Sequence, residues 1–94
     1  MIHELKILPR WFNDVQAGVK NFEIRKNDRD FKVGDVLCLK EWYRGRFTGR
    51  HVMRKIEYIY KGDGTFGLSK EYAILGLERP EKTGNIINVG VLNI

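Results

Sequence analysis

The sequence predicts a mainly β domain with one or two short helices, its five or six strands forming a small closed or nearly closed barrel. Three observations point there. Apolar residues alternate with polar ones in several short runs, each ended by glycine or a polar cluster. Only one stretch, near the N-terminus, carries apolar residues at helical spacing. At 94 residues the chain supports one core, burying roughly two thirds of its unfolded surface without a metal or disulfide.

The elements follow in order. His3 to Leu8 alternates at Leu5 and Ile7 and reads as a short strand. Pro9 suits a helix start, and Trp11, Phe12, Val15 and Val19 recur at helical spacing, so residues 9–17 read as an amphipathic helix ended by Gly18. Phe22 to Arg25 alternates again. Lys26 to Asp30 holds no apolar residue and reads as an exposed loop. Val36 to Trp42 is a strong strand, followed by a glycine-punctuated basic connection over residues 43–50.

His51 to Lys61 is the longest strand candidate, with Val52, Ile56, Tyr58 and Tyr60 assigned to one face. Arg54 interrupts that face, which predicts a bulge or barrel rim near it. Gly62 to Gly67 reads as a loop. Tyr72 to Leu77 is continuously apolar and suits a strand buried on both faces. Composition changes after Arg79-Pro80, and residues 85–94 offer one more strand. The domain is therefore placed at 1–78, with 79–94 as a C-terminal extension.

Charge narrows the function classes. The net charge is +5, and residues 20–61 carry 12 basic and 6 acidic side chains, a net of +6 against −1 elsewhere. All the excess lies in the middle of the chain, as expected of a surface that meets a polyanion. The same pattern also fits basic residues that merely solvate exposed strands. One cysteine, Cys38, permits no internal disulfide and reads as a small core residue. With Cys38, His3 and His51 the only soft ligands, no cysteine-rich zinc site is possible, and no metal or cofactor is expected. No segment reaches the ~18 uninterrupted apolar residues of a membrane helix, and the N-terminus lacks a long apolar leader. A cytoplasmic location without membrane partners is the expectation. Ser69 is the only serine, without a glycine elbow, and no phosphate-binding P-loop is present.

Gly18-Val19-Lys20-Asn21-Phe22-Glu23-Ile24-Arg25 fits the pattern Gly-x-Lys-x-x-Glu-x-Arg. That pattern resembles the signature of the ASCH (activating signal cointegrator homology) family, whose members share the PUA-like barrel. Phe31-x-Val33-Gly34-Asp35-x-Leu37 and Tyr72-x-Ile74-Leu75-Gly76-Leu77 resemble that family's next strand entry and closing strand. The opening residues and the run Arg25 to Phe31 are similar to a small bacterial and phage branch. The resemblance covers about residues 2–78 and implies a cleft between helix and barrel, lined by the motif. It also implies binding of RNA or a nucleotide. Some small bacterial members hydrolyse the amide of acetylated cytidine and carry the lysine that Lys20 matches. They have threonine where this chain has Glu23.

The residues themselves support two readings. In the first, Lys20 donates to a phosphate or base carbonyl, Glu23 accepts from a base amino group, and Arg25 holds a phosphate bidentately. Glu23 and Arg25, two apart on a strand, share one face, and Lys20 reaches them only by preceding the regular strand. Lys26, Arg29, Arg44, Arg46 and Arg50 would flank one mouth of the barrel, with Trp42, Tyr43 and Phe47 as stacking surfaces for single-stranded nucleic acid. In the second, a small amidohydrolase, Lys20 activates water or attacks directly and Glu23 is the general acid/base. A third possibility is a tail, residues 81–94, that pairs with a partner's sheet edge.

Overall fold

In the computed structural model, residues 1–81 are described. They form β1 (Ile2–Ile7), α1 (Pro9–Gln16), β2 (Phe22–Lys26), β3 (Val36–Tyr43), β4 (Arg46–Lys61), a 3-10 turn (Thr65–Gly67) and β5 (Tyr72–Leu77). The five strands make one sheet in the order β1-β3-β4-β5-β2. β1 runs parallel to β3, and every other neighbouring pair is antiparallel. Among the described residues no backbone ladder joins β1 to β2, so the sheet is open at this seam rather than a closed barrel. The sixth strand expected at residues 85–94 lies outside the described residues.

The core gathers one face of the sheet around α1. Leu5, Ile7, Leu37, Leu39, Val52, Ile56, Ala73, Leu75 and Leu77 enclose Phe12 and Val15 of the helix, with Phe31 from the loop before β3. α1 starts with Pro9 in its first turn, where a missing N–H costs nothing. It ends where the Asp14 carbonyl accepts the amides of both Val19 and Lys20. Gly18 makes that reversal possible. Its φ is +79°, and a Cβ there would lie 2.9 Å from Pro80 Cγ.

Several expectations are corrected. The basic connection at 43–50 is largely strand: Trp42 pairs with Phe47 and Tyr43 with Arg46. Only Arg44 (φ 51°) and Gly45 (φ 79°) turn the chain, both left-handed as in a two-residue hairpin loop. The bulge expected near Arg54 lies between Ile56 and Tyr58. There Glu57 and Tyr58 occupy the space of one residue, so alternation flips. Ile59 turns toward the core and Tyr58 outward, against the single-face assignment. β5 buries one face only, since Ala73, Leu75 and Leu77 are buried while Tyr72, Ile74 and Gly76 are partly open. Cys38 is buried but outside the core cluster, on the opposite face of β3 from Leu37 and Leu39. Desolvation raises its thiol pKa.

Arg54 keeps its inward position because it serves the helix. It pairs with Leu37 in register, and its guanidinium donates to the Val15 carbonyl (3.3 Å), the Gln16 carbonyl (3.5 Å) and the Met53 carbonyl (2.8 Å). A cation against the last carbonyls of α1 opposes the helix dipole and adds a second donor to the Val15 carbonyl, which also accepts the Gly18 amide at 3.0 Å. The cost is visible as well, because burial pulls the Arg54 pKa below its usual value.

Candidate functional site: a charged seam between β1 and β2

The seam is bridged by side chains where ladder bonds are missing. Arg25 Nη2 donates to the Lys6 carbonyl at 2.7 Å, and Arg29 Nη1 donates to the Glu4 carbonyl at 3.3 Å. Both acceptors belong to the free edge of β1. Two cations from β2 and its following loop thus replace part of a strand pairing.

Glu23 is the anion beneath them. It is only 4% exposed although it lies on an edge strand. Its Oε1 accepts from Arg25 Nε at 3.0 Å and Nη2 at 2.8 Å, and its Oε2 accepts from Lys20 Nζ. Lys20 precedes β2, and its amide is held by the Asp14 carbonyl at the end of α1. Its ammonium also donates to the Phe22 carbonyl at 2.7 Å and lies 4.9 Å from the Phe22 ring centroid. Lys20, Glu23 and Arg25 therefore converge in one cluster. The inward residues of β2 are the charged Glu23 and Arg25, while Phe22, Ile24 and Lys26 stay exposed.

Two hollows meet at this cluster and share Lys6 and Arg25. One, of about 470 Å³, is lined by Lys6, Arg25, Lys26, Arg29 and Lys40 with Phe47, Glu4 and Asp28 among them. Five cations against two carboxylates make it a basic trough. Two of its cations lie over aromatic rings: Lys40 Nζ is 4.6 Å from the centroid of Phe47, which lines the trough, and Lys6 Nζ is 4.0 Å from that of Trp42, which does not. These two rings meet edge to face at 4.8 Å. The other hollow, of about 500 Å³, is lined by Ile7, Leu8, Trp11, Phe22 and Ile24 above Lys20, Glu23 and Arg25.

Among the residues singled out in the sequence, Lys26 and Arg29 line the trough, and Trp42 borders it through Lys6. Tyr43 and Arg50 line neither hollow. Tyr43 is exposed at the hairpin end with Arg44 5.1 Å over its ring. Arg50 is engaged elsewhere. Its Nε (2.9 Å) and Nη2 (2.7 Å) hold the buried Glu41, Nη2 also reaches Asn13 at 3.0 Å, and the guanidinium lies 4.4 Å over Phe12. Thr48 donates to the same carboxylate. Pairing passes from Lys40–His51 directly to Trp42–Phe47, so Glu41 faces Thr48, Gly49 and Arg50 together. Hydrogen bonds from Arg50 lower the Glu41 pKa, and Glu41 raises that of Arg50. This is a tie between β3, β4 and α1.

Lys6, Lys40 and Trp11 are site residues that the sequence did not single out. Lys6 and Lys40 become neighbours only through the parallel register of β1 and β3, which pairs them across a long crossover. Outward alternation in each strand was the only signal available. A third cluster joins His3 Nε2 to Asp35 Oδ2 at 2.8 Å, with the Lys32 amide on the same oxygen at 3.0 Å. The His3 hydrogen bond, ahead of that amide, lowers Asp35 from 3.8 to about 2 against the opposing effect of burial. No group of three or more His, Cys, Asp or Glu among the described residues is arranged for a metal ion, and none of their helices is long and apolar enough to cross a membrane.

Open sheet, one amphipathic helix packed on it and a charged seam together define a small, mainly β domain with a cation-lined surface groove. The chain belongs to the family described as a domain of unknown function, DUF3850, whose profile matches residues 2–77. It is 47% identical over 55 residues to an "Uncharacterized 12.9 kDa protein in GpA 3'region" of Escherichia phage P2. That alignment takes in 58% of this chain and 50% of the phage protein, so the chain spans about half the length of the curated relative it matches.

Proposed function

We propose that this domain binds RNA or a nucleotide in the β1–β2 seam, and that its open sheet is a PUA-like fold of the ASCH kind. The observation that carries the reading is the basic trough: Lys6, Lys26, Arg29 and Lys40 line it together with Arg25 of the Lys20–Glu23–Arg25 cluster, and Trp42 and Phe47 lie alongside. Cations spaced along a groove suit phosphates, and adjacent aromatic rings suit unstacked bases. The helix on the inner face and the motif at the helix–sheet junction support the fold reading.

Titration of labelled single-stranded RNA at about 50 and 200 mM salt tests it. Three or four phosphate contacts give a log–log slope of roughly −2 to −3, and hence roughly a 20- to 50-fold loss of affinity over that range. Lys26→Ala with Arg29→Ala should flatten the slope by roughly 0.7 per contact removed. Absent or salt-independent binding would remove the reading.

One contact favours a second reading. Lys20 Nζ bonded directly to Glu23 at the base of a hollow resembles a proton-transfer pair, which suits an amidohydrolase acting on a modified nucleoside such as acetylated cytidine. Release of acetate by the wild type and not by Lys20→Ala is the expected outcome. Equal release from both proteins excludes it.

A further inference from the structure

The two hollows at the seam differ in chemistry, and this difference bears on what the ligand must look like. The trough is lined by five cations. The neighbouring hollow is walled mainly by apolar side chains, Ile7, Leu8, Trp11, Phe22 and Ile24. Trp11 is 42% and Phe22 43% exposed, in a domain with only a small core to bury them in. Trp11 precedes the buried Phe12 on α1, so it stands beside the helix's inward stripe and over the seam. Arg10 lies 5.5 Å over its ring, and Lys20 lies 4.9 Å over that of Phe22. Half-exposed aromatic rings grouped at a concave site mark a binding surface more often than rings scattered singly.

We infer that the ligand is an unpaired nucleotide within a single strand, its base seated against Trp11 and Phe22 and its phosphates crossing into the trough. The inference rests on the nucleic-acid reading above and places this base on Trp11 and Phe22 rather than on Trp42 and Phe47, over whose rings Lys6 and Lys40 lie. Lys6 and Arg25 line both hollows, so one nucleotide step suffices to pass from the apolar side to the basic side. Charge complementarity fixes the orientation. The phosphates belong with Lys26, Arg29 and Lys40, and the uncharged plane of the base belongs with the rings. Trp11 becomes the residue that separates base-bearing strands from other polyanions. A carboxylate- or sulfate-rich polymer would fill the trough and leave the ring hollow empty.

The full chain is titrated with two probes of equal phosphate number, a single-stranded RNA oligomer and an abasic sugar–phosphate oligomer. The base-bearing strand should bind at least roughly 5-fold tighter than the abasic one. Trp11→Ala should weaken the RNA oligomer by roughly 5- to 100-fold while leaving the abasic oligomer and the salt slope unchanged, and Trp11→Phe should recover most of the loss. Circular dichroism of both variants checks their fold. Salt-sensitive binding that ignores Trp11 and treats the two probes alike overturns the inference while leaving the phosphate-binding reading in place. Failure of the wild type to bind either probe at low salt overturns both.

Discussion

Replacing Glu23 by glutamine keeps the shape of the side chain and removes the only carboxylate that Lys20 and Arg25 share in the seam cluster. Of the three hydrogen bonds to the carboxylate, one from Lys20 and two from Arg25, the single amide oxygen of glutamine keeps those on one side only, and its NH2 group faces a cation on the other. Breaking a fully buried ion pair costs about 3–5 kcal/mol, whereas an exposed pair contributes about 0–1 kcal/mol. Glu23 is buried, but the Lys20 and Arg25 side chains keep 18% and 23% exposure and regain water. The expected cost lies between, at about 2–3 kcal/mol. For a domain of this size that lowers the melting midpoint by roughly 10–20 °C. Urea denaturation of the wild type, Glu23→Gln, Arg25→Gln and the double variant measures it, with a coupling energy of about 1–2 kcal/mol between the two positions. A loss below about 0.5 kcal/mol, or strictly additive variants, would refute the view that this cluster holds the seam.

Acid should weaken the fold through Asp35 and Glu41. Both carboxyl pKa values are lowered in the folded state, Asp35 from 3.8 to about 2, so the stabilisation is complete above the ordinary carboxylate range and is lost as pH falls from about 4 toward 2. Urea midpoints across that window should fall for the wild type and fall less for Asp35→Asn; equally steep curves would contradict the assignment. Arg54→Met removes the guanidinium from the Gln16 carbonyl and leaves the Val15 carbonyl with the Gly18 amide alone, and should cost about 1–3 kcal/mol, with faster amide exchange at the end of α1. Unchanged stability would mean that water serves those carbonyls equally well. Phe66 is 93% exposed with a left-handed φ of 57°, so Phe66→Asn should raise stability by about 0.5–1 kcal/mol in the same denaturation assay.

Local pattern carried the strands well, because alternation at Leu5 and Ile7, or at Leu37 and Leu39, directly reflects one buried face. It failed where one extra residue changes the face. The Glu57 bulge sends Tyr58 outward and Ile59 inward; Arg54 announced a bulge in that run but not the residue at which it falls. Arg44-Gly45 lacks the Asn-Gly signature of a two-residue hairpin, which hid the first residues of β4. The motif from Gly18 to Arg25 was legible because its residues are close in sequence and meet across one turn. Lys6 and Lys40 were not, since a parallel pairing between distant strands brings them together. Arg50 has the composition of a surface ligand-binding residue, yet it serves Glu41 inside the fold. Its partner could be found only in three dimensions.

Amide chemical-shift mapping during titration with a short single-stranded RNA shows whether the seam is where the nucleic acid binds. Saturating shifts should concentrate at Lys6 to Trp11, Lys20 to Arg29 and Lys40, the stretches that border the seam. Shifts confined to the outer face around Tyr58, Tyr60 and Ile74, or no shifts at low salt, would contradict binding there.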